Sequence, residues 1–146
     1  GKGQYIDTGA QSIHLAPNTS AVVSSKSISK GGGTGVYRGM VYMGENSQGS
    51  KASVDCESLM LDDISRADTI PLVDVKNQNV DVGHEAKIGK ISDEVIFYLM
   101  SRGISEAEAR AMVVRGFAEP VSKELPLEYA VEMNQLINLE LEGTIG

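Results

Sequence analysis

The chain has 146 residues, 41% hydrophobic and 23% charged, which suffices for a folded core and excludes an unstructured chain. A net charge of −7 argues against DNA, RNA or an anionic membrane surface as partner, and a single cysteine excludes an internal disulfide framework. Tryptophan is absent and aromatics are 5%, so aliphatic side chains and methionine must fill the interior.

Residues 1–90 carry strand signals: short runs of alternating Ser, Thr, Val and Ile, broken by Gly, Asn and Pro. A weak internal repeat runs through them. Ile13-His14-Leu15-Ala16 leads through Pro17-Asn18-Thr19-Ser20 into Ala21–Ile28, Val41-Tyr42-Met43-Gly44 leads through residues 45–50 into Ala52–Leu59, and Leu72-Val73-Asp74-Val75 leads through Lys76-Asn77-Gln78 into Val80–Ile88. Aligning Val23, Val54 and Val82 gives steps of 31 and 28 residues. A period near 30 with two strands per unit and no intervening helix predicts about three coils of a parallel β-helix. An antiparallel sandwich is the alternative that the same turn spacing permits.

From Ser92 the apolar period changes to that of a helix. Ser92 caps a predicted helix over 93–102, with Val95, Ile96, Leu99 and Met100 inward and Gly103 as stop. Ser105-Glu106-Ala107-Glu108 is a capping box opening a second helix to Arg115, with Ala109, Met112 and Val113 inward and Gly116 ending it. A third runs from Pro126 in its first turn to about Glu142, with a stripe of Ala130, Met133, Ile137 and Leu141 and Leu136 beside it. The predicted organisation is a β-helix portion, 1–90, and a C-terminal helical subdomain, 91–146. The second part holds ten acids against four bases, and the first is nearly balanced at −1. That acidic part reads as a solvated helical face or as a docking surface for a basic partner.

In the aligned frame Ser25, Cys56 and His84 are equivalent positions. Adjacent strands lie about 4.8 Å apart, so Cys56 and His84 are predicted to meet as a thiol–imidazole pair suited to iron, zinc or copper(I). Glu85, Asp55 and Glu57 neighbour them in sequence, but neighbours along a strand face opposite sides, so a carboxylate joins only through a bulge. The plainer reading of Cys56 is a small buried hydrophobe, and His14 lies at another phase of the coil and reads as structural. No Gly-x-Ser-x-Gly elbow and no His-Glu-x-x-His appear, and Gly31-Gly32-Gly33-Thr34-Gly35 lacks the Lys-Ser/Thr of a phosphate loop. No nucleophile–base–orienter set assembles, so a zinc or iron enzyme is the weakest reading.

The order of motifs resembles a known family. Asp7-Thr8-Gly9, Ile13-His14, Pro17-Asn18-Thr19, Ser25-Lys26-Ser27-Ile28-Ser29, Tyr37-Arg38-Gly39, Cys56-x-Ser58-Leu59, His84-Glu85-Ala86, Met100–Ser105, Gly116-Phe117 and Glu124–Glu132 are similar to the carboxy-terminal part of the SufB/SufD family, nearer its SufB branch. Residues 141–146 resemble that family's natural end. The resemblance implies a right-handed parallel β-helix followed by a helical subdomain. It implies a non-enzymatic scaffold for iron–sulfur cluster assembly, with iron and a transient cluster as cargo at a subunit interface.

The family's interface cysteine falls on Cys56, and its Glu-His-Glu motif on Gly83-His84-Glu85, with Gly83 one carboxylate short. The implied partners are a SufD-like or second SufB-like subunit through the β-helix, and the SufC ATPase through the C-terminal helices, around Glu124, Leu125, Pro126, Glu128 and Tyr129. A sulfur-donor protein would act through upstream coils. Gly1-Lys2-Gly3-Gln4 reads as a cut inside a longer protein. With no leader pattern and no long apolar run, the implied location is the cytoplasm, or the plastid stroma in a eukaryote. The alternative function is a SufD-like or purely structural assembly module that binds no cluster.

Overall fold

A computed structural model describes residues 1–142 of the chain, and side chains as far as residue 139. The resemblance of residues 141–146 to the family's end and the inward place of Leu141 lie outside the described residues. The chain divides into two compact units, Gly1–Lys90 and Ile91–Gly146.

The first unit is six ten-residue strands: β1 (Tyr5–His14), β2 (Ser20–Ser29), β3 (Thr34–Met43), β4 (Lys51–Met60), β5 (Arg66–Val75) and β6 (Asp81–Lys90). They form two three-stranded sheets, β1-β3-β5 and β2-β4-β6, and every pairing is parallel. Each coil therefore lends one strand to each sheet, which is a three-coil parallel β-helix and not an antiparallel sandwich. The turns stack as the strands do: the Asn18 N–H donates to the Gln48 carbonyl at 3.0 Å, and the Gly49 N–H to the Asn79 carbonyl at 2.7 Å. Gly49 has φ +73°, and a Cβ there would lie 2.4 Å from Asn18 Oδ1, so only glycine fits this stack.

The register between β2 and β4 pairs Val23 with Val54 and Ser25 with Cys56, as the repeat predicts. Between β4 and β6 it differs. Val54 pairs with His84 and Cys56 with Ala86, two residues from the alignment of Val54 with Val82. A slip of two leaves every side chain on the same face, so the apolar pattern does not distinguish the two registers. The backbone does: the Asp81 N–H donates to the Ser50 carbonyl at 3.0 Å and sets the step.

The core lies between the sheets. Tyr37, Val41 and Met43 from β3 meet Ala52, Val54 and Cys56 from β4, with Val23, Val80 and Val82 packed against them. One end of the lumen is polar. His14 is buried, with Ser12 Oγ 2.8 Å from Nε2 and Thr19 Oγ1 2.6 Å from Nδ1, and Thr19 Oγ1 lies 2.8 Å from Ser50 Oγ. Both ring nitrogens are thereby satisfied by hydroxyls, which fits the structural reading of His14.

The second unit holds α1 (Asp93–Ser101), α2 (Glu106–Lys123) and α3 (Leu127–Glu142). Ser92 and Ser105 cap α1 and α2 through side-chain oxygens that accept the Val95 and Glu108 N–H groups. Gly103 closes α1 at φ +88°. Gly116 does not end the second helix, which runs through Pro120 to Lys123. Burial of Ala118 and Ser122 beyond Gly116 offsets the propensity cost of both residues. The inward faces also shift. Ile96, Ala109 and Val114 are buried, whereas Val95, Met100 and Met112 are exposed. Pro126 precedes α3, its carbonyl accepting the Ala130 N–H at 3.0 Å. Ala130, Met133 and Ile137 form a half-buried stripe, and Leu136 is exposed. Among the described residues no helix is long and apolar enough to cross a membrane.

The return between β4 and β5 is tied back to the return of the coil before it. Asp62 accepts the N–H groups of Gly31, Ile64 and Ser65. Burial raises the Asp62 carboxyl, but the bonds from the Ser65 hydroxyl and from the Gly31, Ser65 and Ile64 N–H groups outweigh it, leaving it below the usual aspartate value. A depressed carboxylate stabilises the fold above its ordinary pKa and loses that contribution as pH falls through the folded value. Asp62→Ala is therefore expected to cost about 1–3 kcal/mol in urea unfolding at pH 7, with the gap to wild type closing below about pH 4. A gap that stays constant down to pH 2 would show that the charge is not what ties the two returns.

Candidate functional site: the rung at Cys56

Strand alternation decides what meets Cys56. On β4 the residues Ala52, Val54, Cys56 and Ser58 are buried in the lumen, while Ser53, Asp55 and Glu57 take the outer face. On β6 the corresponding inward residues are Val82, His84 and Ala86, by their pairing with Ala52, Val54 and Cys56. His84 is thus not opposite Cys56 but one diagonal away on the same face. The imidazole is long enough to close that diagonal: Nε2 lies 3.7 Å from Cys56 Sγ, within hydrogen-bond reach for sulfur. Either the thiol donates to a bare Nε2, or an Nε2–H donates to the thiolate.

Cys56 is 3% exposed. Burial pushes its thiol above the ordinary value, and the charge of Asp55 adds to the rise, so the resting group is the neutral thiol. Ligation or sulfur chemistry requires the thiolate, and His84 is the adjacent group able to take the proton.

Glu85 does not join the pair. The β4–β6 ladder runs unbroken from Lys51–Asp81 to Met60–Lys90, so no bulge redirects it. It stands on the outer face, 61% exposed, with Oε1 3.0 Å from Lys87 Nζ. Its row on that face is Ser24, Asp55 and Glu85, and the next is Lys26, Glu57 and Lys87, where Lys26 pairs with Glu57 and holds that carboxyl below its usual range. Among the described residues no three His, Cys, Asp or Glu side chains converge as a metal site.

Sequence reasoning passed over Tyr37 as a site residue. It is 8% exposed and sits in the same core cluster as Cys56. Burial raises its phenol, and the charge of the Cys56 thiolate raises it further. The available signal was the spacing Tyr37-x-Gly39, which places a large and a vanishing side chain side by side on one face of a strand.

In the helical unit Glu124, Leu125 and Pro126 join α2 to α3, Glu128 and Tyr129 lie in the first turn of α3, and all five are exposed. Leu125 also lines a groove of about 690 Å³ between the two helices, with Met112, Arg115, Lys123, Leu127 and Ala130.

The family described as "SUF system FeS cluster assembly, SufBD core domain" matches residues 1–117. The chain belongs to the SufBD family. It is 56% identical over all 146 residues to the iron–sulfur cluster assembly protein SufB of Bacillus subtilis, covering 31% of that protein, in its C-terminal part. It is 58% identical, again over its whole length and 31% of the relative, to an iron–sulfur cluster assembly SufBD family protein of Staphylococcus saprophyticus. A SufBD family protein of Mycobacterium tuberculosis is 53% identical over 146 residues, which make up 17% of its length. The chain therefore spans less than a third of these relatives.

Proposed function

We propose that this chain is the cargo-holding and docking part of an iron–sulfur cluster scaffold, and not an enzyme. Family membership supports the assembly role, and the single observation that carries the site is the 3.7 Å approach of His84 Nε2 to Cys56 Sγ in the lumen. A thiolate and an imidazole are soft and borderline donors that suit iron and sulfide. Two ligands do not close an iron coordination sphere, so the remaining ones come from a second subunit. β6 is the edge of its sheet and offers unpaired backbone groups to a SufD-like or second SufB-like chain. Glu85 and Asp55, on the outer face of the same strands, serve that partner's side and not the lumen. Sulfur from a donor protein enters through the part of the relatives that this chain does not span.

A reading as a purely structural module has one observation in its favour, the near-complete burial of Cys56. Anaerobic loading with iron and sulfide separates the two. Cys56→Ser is expected to bring retained iron to background, and His84→Ala to cost at least about tenfold in iron affinity. Adding a SufD-like subunit is expected to raise the wild-type iron content and leave Cys56→Ser at background. Equal, negligible iron in all three chains, with and without the partner, supports the structural module.

The exposed segment Glu124, Leu125, Pro126, Glu128 and Tyr129, the α2–α3 connection and the first turn of α3, is proposed to dock the SufC ATPase, with Tyr129 and Leu125 as apolar anchors beside an acidic rim. Tyr129→Ala is expected to weaken that complex by about 2 kcal/mol in a calorimetric titration. An unchanged affinity would move the docking surface elsewhere on the helical unit.

A further inference from the structure

Among the described residues only two buried side-chain polar atoms lack a hydrogen-bond partner, Tyr37 Oη and Thr69 Oγ1. They are neighbours on one rung, since Tyr37 pairs with Thr69 across β3 and β5. A buried hydroxyl with no partner is costly, and phenylalanine at this place would avoid the cost. The tyrosine is therefore better explained by what its hydroxyl faces.

Its direction is set by Gly39. A Cβ on Gly39 would lie 3.0 Å from Tyr37 Cε1, 3.6 Å from the Tyr37 hydroxyl and 3.6 Å from Val54 Cγ1. The ring thus lies across the gap that Gly39 leaves, and Val54 borders the same gap from the opposite sheet. Val54 is the inward neighbour of Cys56 on β4 and the register partner of His84 on β6. Tyr37 and Cys56 belong to one buried cluster, so the unspent donor lies in the core that also holds the thiol.

We propose that Tyr37 is a further binding residue for the cargo: its hydroxyl donates to the terminal sulfur of a persulfide carried on Cys56. This rests on the reading of Cys56 as a sulfur and cluster holder. The loading step is a sulfane transfer from a small alkyl persulfide. Cys56 sulfur attacks the donor's outer sulfur, a new S–S bond forms and the donor's S–S bond breaks. The donor leaves as its thiol, carrying the proton that Cys56 gave up by way of His84. One thiol and one persulfide are consumed and one of each is formed, so no outside oxidant is needed. The burial of Cys56 then shields the labile sulfur, and a hydrogen bond from Tyr37 holds its terminal atom.

The single cysteine makes the test direct. The whole chain is treated with a small alkyl persulfide until loading is constant, desalted, and followed by intact mass as a thiol strips the added sulfur. The comparison is among wild type, Tyr37→Phe, Tyr42→Phe on the outer face of the same strand, and Cys56→Ser. Tyr37→Phe is expected to lose sulfur about fivefold faster than wild type, with Tyr42→Phe unchanged and Cys56→Ser unloaded. Equal loss from wild type and Tyr37→Phe overturns the role of Tyr37 and leaves Cys56 as holder. No added sulfur on wild type overturns both. Thermal unfolding supplies the second readout, because removing an unmatched hydroxyl leaves the melting temperature unchanged or raises it. A marked fall in Tyr37→Phe would show that the hydroxyl serves the fold, and would overturn the proposal.

Discussion

Everything in the first unit depends on the hydrogen-bonded stacking of parallel strands about 4.8 Å apart. One coil of two ten-residue strands has no interior of its own, and its edges are open. Stacking puts Val41 and Met43 of one sheet against Ala52 and Val54 of the other, while the same ladder orders the turns through Asn18, Gly49 and Asn79. The ladder also decides the chemistry. It sorts each strand into residues that see the lumen and residues that see the outside, with no intermediate position. Cys56, His84 and Tyr37 fall inside and Glu85 falls outside, although Glu85 is joined to His84 by a peptide bond.

That sorting gives one strand two chemically different faces. The inner face of β4 and β6 offers a thiol and an imidazole 3.7 Å apart, with Tyr37 in the same buried cluster as the thiol, while the outer face offers Asp55 and Glu85 beside Lys87. A scaffold that receives and later releases its cargo needs a protected place for a reactive sulfur. It also needs a reachable face for a partner. A neutral, buried thiol is inert until a proton leaves it, so Cys56 at rest is unreactive.

Much of this was legible from residues alone. Alternating β-branched runs with a period near 30 specify the coils. Val23 and Val54 mark the first register correctly, and Ser92 and Ser105 mark two helix starts. Alternation along β6 already set Glu85 against His84. The register of the last coil was hidden because a two-residue slip preserves the inward face, and only the turn bonds at Ser50 and Asn79 distinguish it. The length of α2 was hidden because Gly116 and Pro120 signal a stop locally, whereas Ala118 and Ser122 find burial that a local signal does not contain. Tyr37 was hidden because its meaning lies in packing between β3 and β4, which the alternation within either strand alone does not contain.

The register of β4 on β6 is the claim on which the site stands, and disulfide trapping with Cys56 as the one native thiol tests it directly. Residue 86 lies opposite Cys56, about 4.8 Å away between Cα atoms, inside the range a disulfide spans. Residue 84 lies two places along, about 8 Å away, outside it. Ala86→Cys is predicted to cross-link rapidly to Cys56 under mild oxidation, and His84→Cys to remain largely reduced. Rapid cross-linking of His84→Cys with a reduced Ala86→Cys would place residue 84 directly opposite Cys56 and contradict the account.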